Sequence, residues 1–119
     1  GQRSEHMQMA ERESGSVTVL DLSGKITLGE DRTLLKDKLH SLLHQGKKSV
    51  LLNLAGVQYV DSSGLGALVE AYTTVTREGG TLKLANVTRK LQDLLSITKL
   101  LTVFETFDSE DEAVRSYKN

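Results

Sequence analysis

Along the chain the spacing of apolar positions switches between a period of two and one of three to four. The switches mark out alternating strands and helices. Residues 7–13 alternate weakly, Ser14-Gly15-Ser16 is a turn signal, and Val17-Thr18-Val19-Leu20-Asp21-Leu22 is β-branched and aliphatic. These predict an antiparallel hairpin whose second strand is ended by Ser23-Gly24. Leu35, Leu39, Leu42 and Leu43 share one face at helical spacing, which predicts a helix over 30–45 stopped by Gly46. The short apolar run at 49–54 predicts a strand covered on both faces, and Val57, Tyr59 and Val60 a short extended segment after it. A second helix is expected over 64–78, with Leu65, Leu68, Val69, Tyr72 and Val75 as its buried stripe and Gly79-Gly80 as its end. Each large side chain in that stripe is worth about 1.5–3 kcal/mol on burial, as an upper bound.

Thr81-Leu82-Lys83-Leu84-Ala85 predicts the next strand, and Leu91, Leu94 and Leu95 the inward face of a helix over 89–97. Leu101-Thr102-Val103-Phe104 predicts a last strand. Ser109, with Glu112 three residues on, forms a capping box at the start of the final helix. The order is β-β-α-β-α-β-α-β-α. It predicts an α/β fold with a mixed, mostly parallel sheet of about five strands, about four helices, and one antiparallel hairpin strand at the start. The 119 residues suit a single domain, expected over 7–119. Residues 1–6 are patternless, and His6-Met7 looks like the join between an expression tag and a native start.

Composition narrows the function. Lys and Arg number 15 against 16 Asp and Glu. That balance lacks the basic surplus that direct nucleic-acid binding draws on. Aromatic residues are 4% with no Trp, so stacking platforms for single strands are missing too. No apolar run approaches the ~20 residues of a membrane span, and no signal-peptide pattern opens the chain, so no membrane insertion and a cytoplasmic location are expected. The absence of cysteine removes disulfides, thiolate metal sites and a cysteine nucleophile.

The segment Val60-Asp61-Ser62-Ser63-Gly64-Leu65-Gly66 stands directly after a strand and directly before a helix, at the sheet edge where functional groups collect in open α/β folds. One serine suffices as a helix cap, so with two side by side a hydroxyl is left over. Asp61 reads as a turn former or as a residue that orients the serine. Gly64 and Gly66 leave open backbone in the first turn, and the N-terminal amides there tolerate a phosphate. A phosphate would add about −1.5 to −2 charges to a chain whose net charge is −1.

V-D-S-S-G-L-G-A-L-V at 60–69, S-V-L-L-N-L at 49–54 and G-G-T-L-K-L-A-N at 79–86 resemble the STAS-domain anti-sigma factor antagonists, bacterial regulators of sporulation and general-stress sigma factors. The resemblance covers nearly the whole chain from Met7 and implies a STAS-like fold and partner switching. In its unphosphorylated form such a protein binds an anti-sigma factor that is also a serine kinase, and so frees a sigma factor. Phosphorylation of the serine after the Asp, here Ser62, dissolves the complex, and a serine phosphatase resets it. The implied partner surface comprises Asp61, Ser62, Ser63, Gly64, Leu65 and Thr27, within tips at 24–28. Many members carry G-E-L-D after the second strand. Gly24-Lys25-Ile26-Thr27 puts Lys25 and Thr27 at the acidic positions, which predicts a divergent partner. A second reading keeps the fold without the switch, as an interaction subunit of a stress-signalling scaffold or a lipid-transport complex.

Other chemistry finds less support. A nucleophile elbow needs a glycine two residues before the serine, and that position holds Val60. The phosphate-loop and dinucleotide patterns are missing. His40 and His44 have metal-ligand spacing but no convergent third ligand, and they read as a solvated face. Asp108, Glu110, Asp111 and Glu112 read as charge offsetting a helix dipole. No catalytic residue, metal or cofactor is expected.

Overall fold

A computed structural model of the chain describes residues 7–26 and 30–117, with the side chains of the first helix described from Arg32 onward. Along the chain these form β1 (Gln8–Ser14), β2 (Val17–Ile26), α1 (Glu30–His44), β3 (Ser49–Val60), α2 (Ser62–Arg77), β4 (Thr81–Ala85), α3 (Arg89–Ile97), a 3-10 turn (Leu100–Thr102), β5 (Thr106–Phe107) and α4 (Glu110–Arg115). β1 pairs antiparallel with β2, and β2 to β5 run parallel, in the spatial order β1-β2-β3-β4-β5. This is the mixed, mostly parallel α/β sheet with four helices that the periodicities predict.

Sequential parallel strands joined by right-handed crossovers place their connecting helices on one face of the sheet. On that face Leu35, Leu39 and Leu42 of α1, Leu65, Leu68 and Val75 of α2, and Leu91 and Leu95 of α3 meet Leu20, Leu22, Val50, Leu52, Leu54, Leu82 and Leu84. α4 covers the other face, where Ala113 packs with Val17, Val19, Leu51 and Ala85, flanked by Phe107, Val114 and Tyr117. β3 therefore buries successive residues on opposite sides, as a strand covered on both faces does. Lys83, also buried on the α4 side, donates from Nζ to the carbonyl and hydroxyl oxygens of Ser116 and lies 4.6 Å from the Tyr117 ring centroid. It fastens the end of α4 to the sheet.

Three expectations about element bounds need correction. Ser23-Gly24 does not end β2, which runs on to Ile26. Gly24 takes a φ of +88°, where a side chain is strained, and β3 inserts one extra residue at each of two register shifts. The extended segment at Val57, Tyr59 and Val60 is the second half of β3, paired with Gly24, Lys25 and Ile26. The apolar run 101–104 is not a strand. It follows Lys99, at φ +66°, into the 3-10 turn, and Phe104 turns into the core edge-on to Tyr72 at 5.5 Å. The last strand is Thr106–Phe107, where the carbonyls of Glu105, just before it, and of Phe107 accept the Leu84 and Asn86 amides.

Candidate functional site

β2 and β3 finish side by side, with Ile26 paired to Val60, and α2 starts two residues later at the carboxyl edge of the sheet. The start of the helix is set by Asp61. Its backbone is extended (φ −97°, ψ −175°), its Oδ1 accepts the Gly64 amide at 2.7 Å, and its carbonyl accepts the Leu65 amide at 2.8 Å. That is an N-cap with the first helical hydrogen bond. The cap that the sequence left to Ser62 or Ser63 thus belongs to Asp61, because the residue that caps must stand outside the helix, and both serines already lie within it. Ser62 is exposed and Ser63 half-buried as the first two residues of α2. Neither hydroxyl makes a hydrogen bond to another described residue.

The floor of the site is backbone against backbone. Gly64 is buried, and a Cβ built on it would sit 1.9 Å from the Ile26 carbonyl oxygen and 2.7 Å from its carbon. Any side chain here would keep α2 from resting on the end of β2. Leu65 points into the main core at 5% exposure. Of the expected patch, then, Ser62 faces outward, Ser63 and Asp61 are partly covered, and Gly64 and Leu65 hold it from beneath. Thr27 lies outside the described residues, as do residues 1–6. At the remaining tip Gly24 is buried and Lys25 half-buried opposite Tyr59.

Two residues beside α2 escaped the sequence reading. Tyr59 reads as an ordinary strand residue, yet it is 45% exposed three positions before Ser62. Arg32 of α1 reaches α2, where its Nε donates to Glu70 Oε1 at 2.7 Å, and Lys36 Nζ lies 3.4 Å from Glu70 Oε2. The Arg32 hydrogen bond, assisted by Lys36, holds the Glu70 carboxyl below its usual range against the opposing effect of burial. A contact across 38 positions of sequence leaves no local trace in the spacing of residues. His40 and His44 are both exposed on α1, and among the described residues no group of three or more His, Cys, Asp or Glu could hold a metal ion. No helix among the described residues is long and apolar enough to cross a membrane.

A parallel sheet led by an antiparallel strand, with a capped D-S-S-G turn on its carboxyl edge, defines a class. The chain belongs to the STAS domain family, whose sequence pattern matches residues 8–113. Similar proteins include the anti-sigma-B factor antagonist of Bacillus subtilis strain 168, 38% identical over 72 residues, 60% of this chain and 65% of that one. This match spans just under two thirds of the relative's length. The anti-sigma F factor antagonist of Paenibacillus polymyxa is 22% identical over 109 residues, 92% of this chain and 93% of that one. Among solved structures, an anti-sigma factor antagonist from Mycobacterium paratuberculosis aligns with a TM-score of 0.80 at 16% identity, covering 97% of each chain. The Bacillus cell fate determinant SpoIIAA in its phosphorylated form aligns with a TM-score of 0.71 at 17% identity, covering 93% of this chain and all of that one. At these identities the structural likeness establishes the fold.

Proposed function

We propose that the chain is an anti-sigma factor antagonist whose docking is switched by phosphorylation of Ser62. In the unphosphorylated form the surface around Ser62 and Ser63 binds an anti-sigma factor with serine kinase activity, and a sigma factor is released. The kinase brings ATP and its magnesium. The Ser62 Oγ attacks the γ-phosphorus, the bond to ADP breaks, and the hydroxyl proton passes to a base of the kinase. This chain contributes an acceptor and a surface and no catalytic group of its own. The added charge, next to Asp61, then repels the partner until a serine phosphatase removes it. Such a regulator works in the cytoplasm without nucleic-acid or membrane contact.

The observation that carries this reading is an exposed serine at the start of α2 whose hydroxyl is spared from capping because Asp61 already caps. The names of the relatives point the same way. Two experiments test it. After incubation with the partner kinase, mass spectrometry should find phosphate on Ser62, and phosphate on Ser63 alone would reassign the acceptor. In pull-downs from the native host, Ser62→Ala should hold the partner persistently and Ser62→Asp should release it. Lys25, where acidic residues stand in many relatives of the resembled family, favours a second reading in which the same surface is a constitutive contact of a scaffold or transport complex. In that case both variants bind equally.

A further inference from the structure

The flank of α2 that begins at Ser62 continues one turn later to Gly66 and a further turn to Glu70, since residues three and four apart are neighbours on a helix. The Arg32 guanidinium lies along this flank. A Cβ built on Gly66 would be 3.8 Å from both Arg32 Nη1 and Nη2, while Nε is bonded to Glu70. The guanidinium therefore lies over Gly66, one turn from Ser62, with its Nε tied to Glu70. Neither terminal nitrogen donates to another described residue. Glu70 also has a second cation, Lys36, at 3.4 Å, so two positive side chains share one carboxylate.

We propose that Arg32 reads the phosphorylation state of Ser62: its guanidinium leaves Glu70 for the phosphoryl oxygens, and Glu70 stays paired with Lys36. This rests on Ser62 being the acceptor. The exchange follows from charge and reach. A phosphoserine carries about −1.5 to −2 charge against −1 for a carboxylate, and offers three acceptor oxygens to a fork suited to two parallel hydrogen bonds. From its place over Gly66 the guanidinium has about one helical turn left to cover, roughly 5 Å, which a long flexible side chain spans by changing rotamer. Gly66 carries no side chain in the track between the two positions. Asp61, the neighbouring carboxylate, is occupied with the Gly64 amide and adds repulsion that a cation relieves. The outcome is a rearranged α1–α2 surface: Arg32 withdraws from Glu70, whose carboxylate keeps Lys36 as its cation.

The test installs phosphoserine at position 62 of the full chain by genetic-code expansion, with no kinase, and follows the phosphate by phosphorus NMR across its second ionisation. The phosphate should ionise at a pH lower by about half a unit or more than in the Arg32→Ala variant carrying the same phosphoserine. Arg32→Lys should restore part of the shift, as a point charge without the fork. A purely structural role for Arg32 would leave the titration unmoved. Identical curves for parent and Arg32→Ala overturn the role of Arg32 and leave Ser62 as acceptor. Failure to find phosphate on Ser62 in protein from the native host removes the switch itself, whatever the installed phosphate shows.

Discussion

A methyl group added at Gly64 would test whether contact between the start of α2 and the end of β2 fixes the site. The Cβ of Gly64→Ala would fall 1.9 Å from the Ile26 carbonyl oxygen, where real Cβ contacts essentially never come under 3.0 Å. The helix must therefore retreat from the strand by about 1 Å, or the strand end must bend. Overpacking costs about 1–3 kcal/mol, and an obstacle made of backbone, with no rotamer to yield, puts this site at the upper end. Replacing Gly by Ala in a helix returns about 1 kcal/mol. The net loss is about 2 kcal/mol, or a fall in Tm of about 8 °C for a domain of this size. Gly66→Ala, two positions along the same helix, is the matched control. It gains the same helical preference, and its Cβ meets nothing closer than the Arg32 guanidinium at 3.8 Å, an ordinary contact. It should stabilise by about 0.5–1 kcal/mol. Urea and thermal denaturation of both variants measure the pair. A Gly64→Ala protein as stable as the parent would refute the idea that the helix is seated backbone against backbone.

Two further predictions concern the ends of α2 and α4. Asp61→Ala should cost about 1 kcal/mol through loss of the cap, whereas Ser62→Ala and Ser63→Ala should each stay within about 0.5 kcal/mol of the parent in urea denaturation; the reverse ranking would return the cap to a serine. Burial pushes the Tyr117 phenol, which donates to the Val50 carbonyl, well above its usual value of 10.0. Its contribution is intact below that value. Stability should then fall as pH rises through about 10, by up to about 1.4 kcal/mol per pH unit, because the unfolded chain loses the proton first. Denaturation at pH 8 to 11.5 should show that this slope is shallower in Tyr117→Phe.

Most of the fold could be read from apolar spacing because helices α1 to α3 each bury a stripe that local sequence fully displays. Leu35, Leu39 and Leu42, or Leu91, Leu94 and Leu95, fit a helical period and break the alternation of a strand. What escaped depends on partners distant in the chain. A four-residue apolar run such as 101–104 suits a strand or a core plug equally, and only the Tyr72 ring beside Phe104 decides for the plug. β2 continues past Ser23-Gly24 because β3 supplies the bulges that accommodate it. At the site, the D-S-S-G turn was legible, but the identity of the cap was not: Asp and Ser cap almost equally well, and the choice falls to the residue left outside the helix by the strand end. Arg32 was invisible, since its tie to Glu70 exists only once α1 and α2 are side by side.

These positions divide the loop into a part that must not move and a part that is free to change. Asp61 and Gly64 are joined by a 2.7 Å hydrogen bond, Gly64 abuts Ile26, and Leu65 anchors in the main core. The Ser62 hydroxyl stands outside that framework and makes no hydrogen bond to another described residue that a phosphate would break. In the proposed switch, modification there leaves the hydrophobic contacts of α2 intact and acts on the charged side chains of the exposed surface. In the proposed switch, an acceptor one residue after the cap, and not at the cap itself, is what separates the two. A phosphorylated cap residue would lose its bond to the helix amides, and the fold and the signal would be coupled. With Asp61 as cap, the charge at Ser62 can change while the helix start keeps its seat on the sheet.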